Sequence, residues 1–156
     1  MKTTVHVSGL RELDAALGTL PKATAKAVLR RIGIKALQPM AETARELAPD
    51  DPETGGRDLK ESITVGSQSK LNPRQRQMNK RRDDKSFVEV YMGTADPAGV
   101  QQEFGNVNHG PQSFMRPAFE QNAEGAIKIV GADLGDEITK TAARLAKRAA
   151  KKAAGA

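Results

Sequence analysis

The chain has 156 residues, of which 38% are apolar and only 3% aromatic, with a net charge of +6 and no cysteine. This length predicts one domain over residues 1–156, and the lack of cysteine excludes a disulfide framework, a thiolate zinc site and a cysteine nucleophile. No segment approaches the roughly 20 apolar residues of a membrane helix, and the first residues lack the apolar core of a signal peptide. We therefore expect a soluble, non-secreted protein whose positive charge suits either a polyanionic partner or a solvated surface.

The first third of the sequence predicts one short strand followed by two helices. Residues 3–7 are rich in β-branched side chains and predict a strand, and Ser8 is a candidate N-cap for the first helix. Pro21 can start the second helix. Pro39 predicts a kink in that helix, because the apolar stripe continues in phase beyond it. The stripe contains Ala25, Leu29, Ile32, Ala36, Met40 and Leu47.

Two further strands, at residues 59–66 and 87–93, predict a hairpin with a long basic loop. Residues 67–86 contain seven cations and two acids, and loops of this length are usually functional or disordered. We expect a flexible arm that is solvated, docks on an acidic neighbour, or contacts nucleic acid. It has no aromatic side chain to stack on a base, so any such contact would not read sequence. Its cations are Lys70, Arg74, Arg76, Lys80, Arg81, Arg82 and Lys85.

Three of the four phenylalanines fall between residues 103 and 119. Large side chains are scarce in this chain, so this cluster indicates either core packing or a plug between subunits, where Arg116 would make a directional ion pair. Pro117 fits the first turn of a helix. The candidate assembly residues are Glu103, Phe104, Gly105, Phe114, Met115, Arg116 and Pro117.

The sequence from Arg116 onward predicts a long helix with glycines as weak points. One face carries apolar residues and the opposite face carries cations, while residues 150–156 should fray. The predicted fold class is α+β: a small antiparallel sheet flanked by an N-terminal helical pair and a long C-terminal helix, with a long basic hairpin loop. The apolar face comprises Leu134, Ile138, Ala142, Leu145 and Ala149, and the cationic face comprises Lys140, Arg144, Lys147 and Lys151.

Catalytic motifs are not evident in the sequence. The two histidines, His6 and His109, have no partners at spacings that suggest a zinc site or a general base. The Gly55-Gly56 pair lacks the Lys-Ser/Thr of a phosphate-binding loop. The acids between residues 50 and 53 do not follow the EF-hand order. We therefore expect no enzyme activity, no cofactor and no metal.

The order of these motifs resembles the small head–tail joining or tail-completion (neck) proteins of long-tailed bacteriophages. The resemblance covers about residues 5 to 135. Two departures are Ser113, where proline is usual, and a longer, more basic hairpin loop. The matching positions are Ala48-Pro49, Thr54-Gly55, Leu59 with Ser62-Ile63, Val88-Glu89-Val90 through Gly93, Glu103-Phe104-Gly105 and Phe114-Met115-Arg116-Pro117-Ala118.

The resemblance implies a non-enzymatic virion protein at the junction between capsid and tail. Its partners would be copies of itself in a ring, with a hexamer as one candidate, and the neighbouring tail and head-connector proteins. The ring would surround the channel through which phage DNA passes, after assembly in the host cytoplasm and without membrane contact. The alternative is a sequence-nonspecific nucleic-acid-binding accessory protein that uses the arm and the basic face of the last helix.

Overall fold

A computed structural model describes residues 10–49, 59–67, 73–74 and 88–154. It confirms the α+β class, because helices dominate and the described strands form one two-stranded antiparallel sheet. The predicted strand at residues 3–7, the candidate cap Ser8 and the acidic and glycine-containing segment at residues 50–57 lie outside the described residues. So do all the arm cations except Arg74, which is exposed.

The predicted N-terminal helical pair is present as α1 (Leu10–Gly18) and α2 (Lys22–Leu47). Pro21 immediately precedes α2, and the helix continues through Pro39, whose carbonyl accepts a hydrogen bond from the Thr43 hydroxyl at 3.1 Å. The predicted place of Leu47 in the buried stripe is wrong, since its side chain is 43% exposed. The buried residues of α2 are Val28, Ile32, Ala36, Met40, Ala41 and Ala44.

The predicted strand over residues 59–66 is wrong in its first half. Leu59–Ser62 forms a helical turn, α3, and the strand β1 is Ile63–Ser67. The Ser62 hydroxyl donates to the Leu59 carbonyl at 2.6 Å, which closes the turn and delays the strand by four residues. Only residues 63 to 67 therefore pair with the partner strand.

The second strand, β2, is Val90–Thr94, so it starts three residues later than predicted. It pairs antiparallel with β1, in a register that sets Ile63 opposite Thr94 and Ser67 opposite Val90. Arg45 of α2 donates two hydrogen bonds to the Ile63 carbonyl, at 2.8 and 3.2 Å. These bonds fix the sheet to the last turns of α2.

A helix that the sequence did not predict, α4 (Pro97–Phe104), follows the sheet. The Asp96 side chain caps it by accepting from the Ala98 N–H at 2.8 Å, and Pro97 occupies the first helical position. This Asp-Pro pair is an ordinary helix-start signal.

The long C-terminal helix is confirmed as α5 (Met115–Ala154), and its glycines do not interrupt it. It packs along α2, and two salt bridges join the pair, Arg31 to Glu137 at 2.8 Å and Lys35 to Asp133 at 2.5 Å. The hydrogen bond from Arg31 lowers the pKa of Glu137 from its ordinary value. Fraying from residue 150 stays a prediction.

Two apolar clusters stabilise this arrangement. The first joins α2, α3, β1 and the start of α5, and the second joins α1, α2 and the middle of α5. Of the predicted apolar face of α5, Leu134 and Ile138 are buried, whereas Ala149 is exposed because it lies beyond the second cluster. The first cluster contains Met40, Ala41, Ala44, Ala48, Leu59, Ile63, Phe114 and Ala118.

We expect Gly99→Ala to destabilise the protein although alanine is the better helix former. A β-carbon at Gly99 would lie 2.3 Å from Cγ2 of Thr94. The Thr94 hydroxyl is held by Ser62 and by the backbone N–H of Asp96, so it does not move aside freely. Overpacking of this kind costs about 1–3 kcal/mol, measurable as a loss in the free energy of unfolding in urea.

The matched control is Gly125→Ala in the exposed middle of α5, where a β-carbon meets nothing within 4 Å. That change should stabilise the protein by up to about 1 kcal/mol through helix propensity. Equal stabilisation by both substitutions would contradict the close approach of α4 to β2.

Candidate assembly site

Glu103, the penultimate residue of α4, binds the start of α5 through its carboxylate. One oxygen accepts from the N–H groups of Phe114 and Met115, each at 2.9 Å, and the other accepts from Arg116 N–H at 3.1 Å. The first four N–H groups of a helix have no partner within the helix. Here three of them bind Glu103, and the fourth position is Pro117, which has no N–H. All four positions are therefore accounted for.

The chain between α4 and α5 is shaped to bring Glu103 against that helix start. Gly105 ends α4 with φ +77°, a conformation that favours glycine, and a β-carbon there would lie 2.9 Å from Pro111 N. The Asn106 side chain accepts from the N–H groups of Asn108 and His109, which forms a compact turn. The Ser113 hydroxyl then donates to the Glu103 carbonyl at 2.9 Å. The segment between α4 and α5 therefore folds back, and the Ser113 hydrogen bond attaches it to the end of α4.

Phe114 lies fully buried in the first apolar cluster. Of the two roles that the sequence left open for the aromatic cluster, this side chain has the core-packing role. It contributes to joining α5 with the last turns of α2 and with the sheet.

Phe104 and Phe119 have the opposite placement, since they are 68% and 58% exposed. Together they line an open groove of about 600 Å³ between β2, α4 and the first turns of α5. Val100, which is 63% exposed, also lines it. The remaining lining includes Tyr91, Met92, Met115 and Arg116. We call this surface the aromatic groove.

We call the three hydrogen bonds from the start of α5 to the Glu103 carboxylate the Glu103 clamp. The other candidate residues divide between this clamp and the aromatic groove. Met115 and Arg116 contribute backbone N–H groups to the clamp and side chains to the aromatic groove. The Arg116 side chain is exposed and makes no hydrogen bond or salt bridge to any described residue. Within the described part of the chain its guanidinium therefore has no carboxylate partner.

The sequence singled out Glu103 and Phe104 but missed how they are held. The unpredicted helix α4 places consecutive side chains on different faces, so Glu103 points to the start of α5 while Phe104 faces solvent. Val100 was not a candidate, and Phe119 was included only as a member of the phenylalanine cluster. Both join Phe104 through the packing of α4 against α5. The Asp96-Pro97 pair was the one signal that could have revealed α4.

Within the described residues, no three acidic or histidine side chains are placed to hold a metal ion. None of the described helices combines the length and the apolarity needed to cross a bilayer. His109 is exposed, with Nδ1 2.8 Å from the Gly110 carbonyl oxygen.

We expect Phe114→Ala to cost about 3–5 kcal/mol of folding free energy, as large-to-small core substitutions do. Phe119→Ala makes the same chemical change on α5 at an exposed position and should cost about 0.5 kcal/mol or less. Urea unfolding of both variants measures the difference. A Phe114→Ala protein as stable as the wild type would contradict this core-packing role.

We expect Glu103→Ala to lower the free energy of unfolding by about 2 kcal/mol, because it removes a helix cap and leaves a buried N–H without an acceptor. Glu103→Gln keeps one acceptor oxygen and should lose less. Glu124→Ala, at an exposed site on α5, is the control and should change stability by about 0.5 kcal/mol or less. Equal stability of all three variants would contradict the capping role.

Comparison with protein families gives one match, over residues 11–105, to the model described as "Bacteriophage HK97-gp10, putative tail-component". The matched residues run from α1 to Gly105 at the end of α4. No curated protein and no solved structure matches the chain. Since the family model covers more than half of the sequence, the chain belongs to the HK97-gp10-like family of bacteriophage tail components.

Proposed function

We propose that this protein is a ring-forming tail-completion, or neck, subunit that joins the tail tube to the capsid connector around the DNA channel. Membership in a structural tail-component family implies a non-enzymatic virion protein. The observation that carries the finer proposal is the aromatic groove, which the described residues of one subunit leave uncovered.

The composition of the aromatic groove is that of a protein interface. Aromatic residues, methionine and arginine are enriched at interfaces and supply most of the residues whose loss weakens binding. The groove combines Phe104, Phe119 and Met92 with Arg116 at its edge. In a chain with only four phenylalanines, leaving two of them more than half exposed on one surface favours burial by a neighbour.

We assign a second copy of this chain as the neighbour that covers the aromatic groove. A ring needs one repeated contact between two different surfaces of the same subunit. The clamp at Glu103 holds Phe104, Phe119 and Arg116 at fixed positions on α4 and α5, which suits a contact that must be identical around the ring. Arg116 would pair with a carboxylate of the adjacent subunit.

Negative-stain images and the solution mass of the purified protein, alone and mixed with tails, test this proposal. We expect closed rings in at least one of these preparations. The double variant Phe104→Ser/Phe119→Ser should stay folded but lose the rings, because removal of central aromatic contacts costs about 2 kcal/mol or more. Arg116→Lys should also weaken assembly, since lysine keeps the charge but lacks the bidentate geometry.

Leu47→Ser is the control, since Leu47 is a partly exposed apolar residue at the far end of α2 and does not line the groove. It should assemble normally. A strict monomer that never decorates tail ends would overturn the proposal and favour the accessory nucleic-acid-binding alternative. Normal rings from the double variant would show that the subunit interface lies outside the aromatic groove.

A further inference from the structure

The last turns of α5 form a second exposed surface with a different composition. From residue 146 to residue 153 every side chain is exposed, beyond the apolar clusters that hold the rest of the helix. This surface faces no described element closely enough to be buried. We call Lys147, Arg148, Lys151 and Lys152, with the alanines between them, the basic end of α5.

The basic end carries positive charge without local compensation. No acid follows Glu137 in the sequence, and Lys147 lies about 15 Å from it along the helix, beyond the roughly 8–10 Å over which exposed charges interact at physiological salt. None of the four cations forms a salt bridge with a described residue. The four charges are therefore available to an external anion.

The arrangement of the cations also opposes helix stability. Lys147 lies one turn before Lys151, and Arg148 one turn before Lys152, and like charges at this spacing repel. The negative end of the helix dipole offsets part of this repulsion. An external polyanion would neutralise these cations and so remove the remaining repulsion.

The amino-acid composition of the basic end indicates which class of polyanion it would bind. Protein interfaces are depleted in lysine and alanine, whereas the described part of the basic end has only alanine, lysine and arginine. A membrane-surface helix would need large apolar residues on its other face, and alanine does not supply them. Phosphate groups along a nucleic-acid backbone bind lysine and arginine without requiring aromatic or apolar partners.

We propose that the basic end of α5 is a sequence-independent binding surface for duplex DNA. At about 100° and 1.5 Å per residue, its cations lie on one side of the helix and, together with Lys140 and Arg144, extend over about 18 Å of its length. This row matches a stretch of the phosphate backbone. The assignment does not depend on ring formation.

The experiment is a salt titration of binding between the full-length protein and a duplex of about 30 base pairs, followed by fluorescence anisotropy. Each phosphate contact contributes about 0.9 to the slope of log affinity against log salt. Replacing Lys147, Arg148, Lys151 and Lys152 with Gln should reduce that slope by about 3 to 4 and the affinity by about tenfold or more. Glutamine is used because its helix propensity is close to that of lysine and arginine, so the substitutions remove charge and should leave the helix intact.

The matched control replaces four exposed cations elsewhere with Gln, and lowers the net charge from +6 to +2 as the test variant does. It should retain most of the wild-type affinity and slope. The double variant Lys151→Gln/Lys152→Gln changes only the last turn and should show about half of the slope change, which guards against a folding defect in the quadruple variant. The control positions are Arg11, Lys22, Arg30 and Lys128.

Three results would overturn the proposal. These are wild-type affinity in the basic-end variant, equal losses in the test and control variants, and polyglutamate competing with DNA as well as unlabelled duplex does. The last result would assign the basic end to an acidic protein instead. Ring formation by the basic-end variant is scored separately, so failure of DNA binding and failure of assembly are distinguishable.

Discussion

The capping of α5 by Glu103 is the interaction on which the rest of this structure depends. A buried carboxylate without a cation is costly, and here it is compensated by three backbone N–H groups and by the positive end of the helix dipole. The same contact sets where a 40-residue helix begins and which way it runs. Because Glu103 belongs to α4, it also holds that helix against the first turns of α5.

This constraint separates the roles of the phenylalanines. Phe114 donates its backbone N–H to Glu103, and its side chain is buried in the core, where it packs the start of α5 against α2 and the sheet. Phe104, adjacent to the clamp residue, and Phe119, one turn into α5, remain on the surface and line the aromatic groove. Of these three rings, one is buried and two stay exposed in the groove, where the proposed ring contact would cover them. A tail component needs both properties, a stable subunit and a repeatable contact.

The two exposed surfaces lie on different parts of α5 and differ in chemistry. The aromatic groove, at the start of the helix, combines apolar and planar side chains that gain free energy when water is removed. The basic end, at the other terminus, carries lysine and arginine, and in the proposed contact with DNA the gain in free energy would come from released counterions. One rigid helix can thus contact a protein with its first turns and a polyphosphate with its last.

The sequence by itself determined the helical pair, the hairpin, the long last helix and the family, because these depend on local periodicity and on motif order. It placed Leu59 in a strand and Leu47 on the apolar stripe of α2, since a short apolar pattern does not show which neighbour covers it. Only the tertiary structure decided that Glu103 caps a helix beginning twelve residues later, and that Phe114 is buried while Phe119 is not. These outcomes depend on the packing of α4, α5 and α2 against one another, which local spacing does not encode.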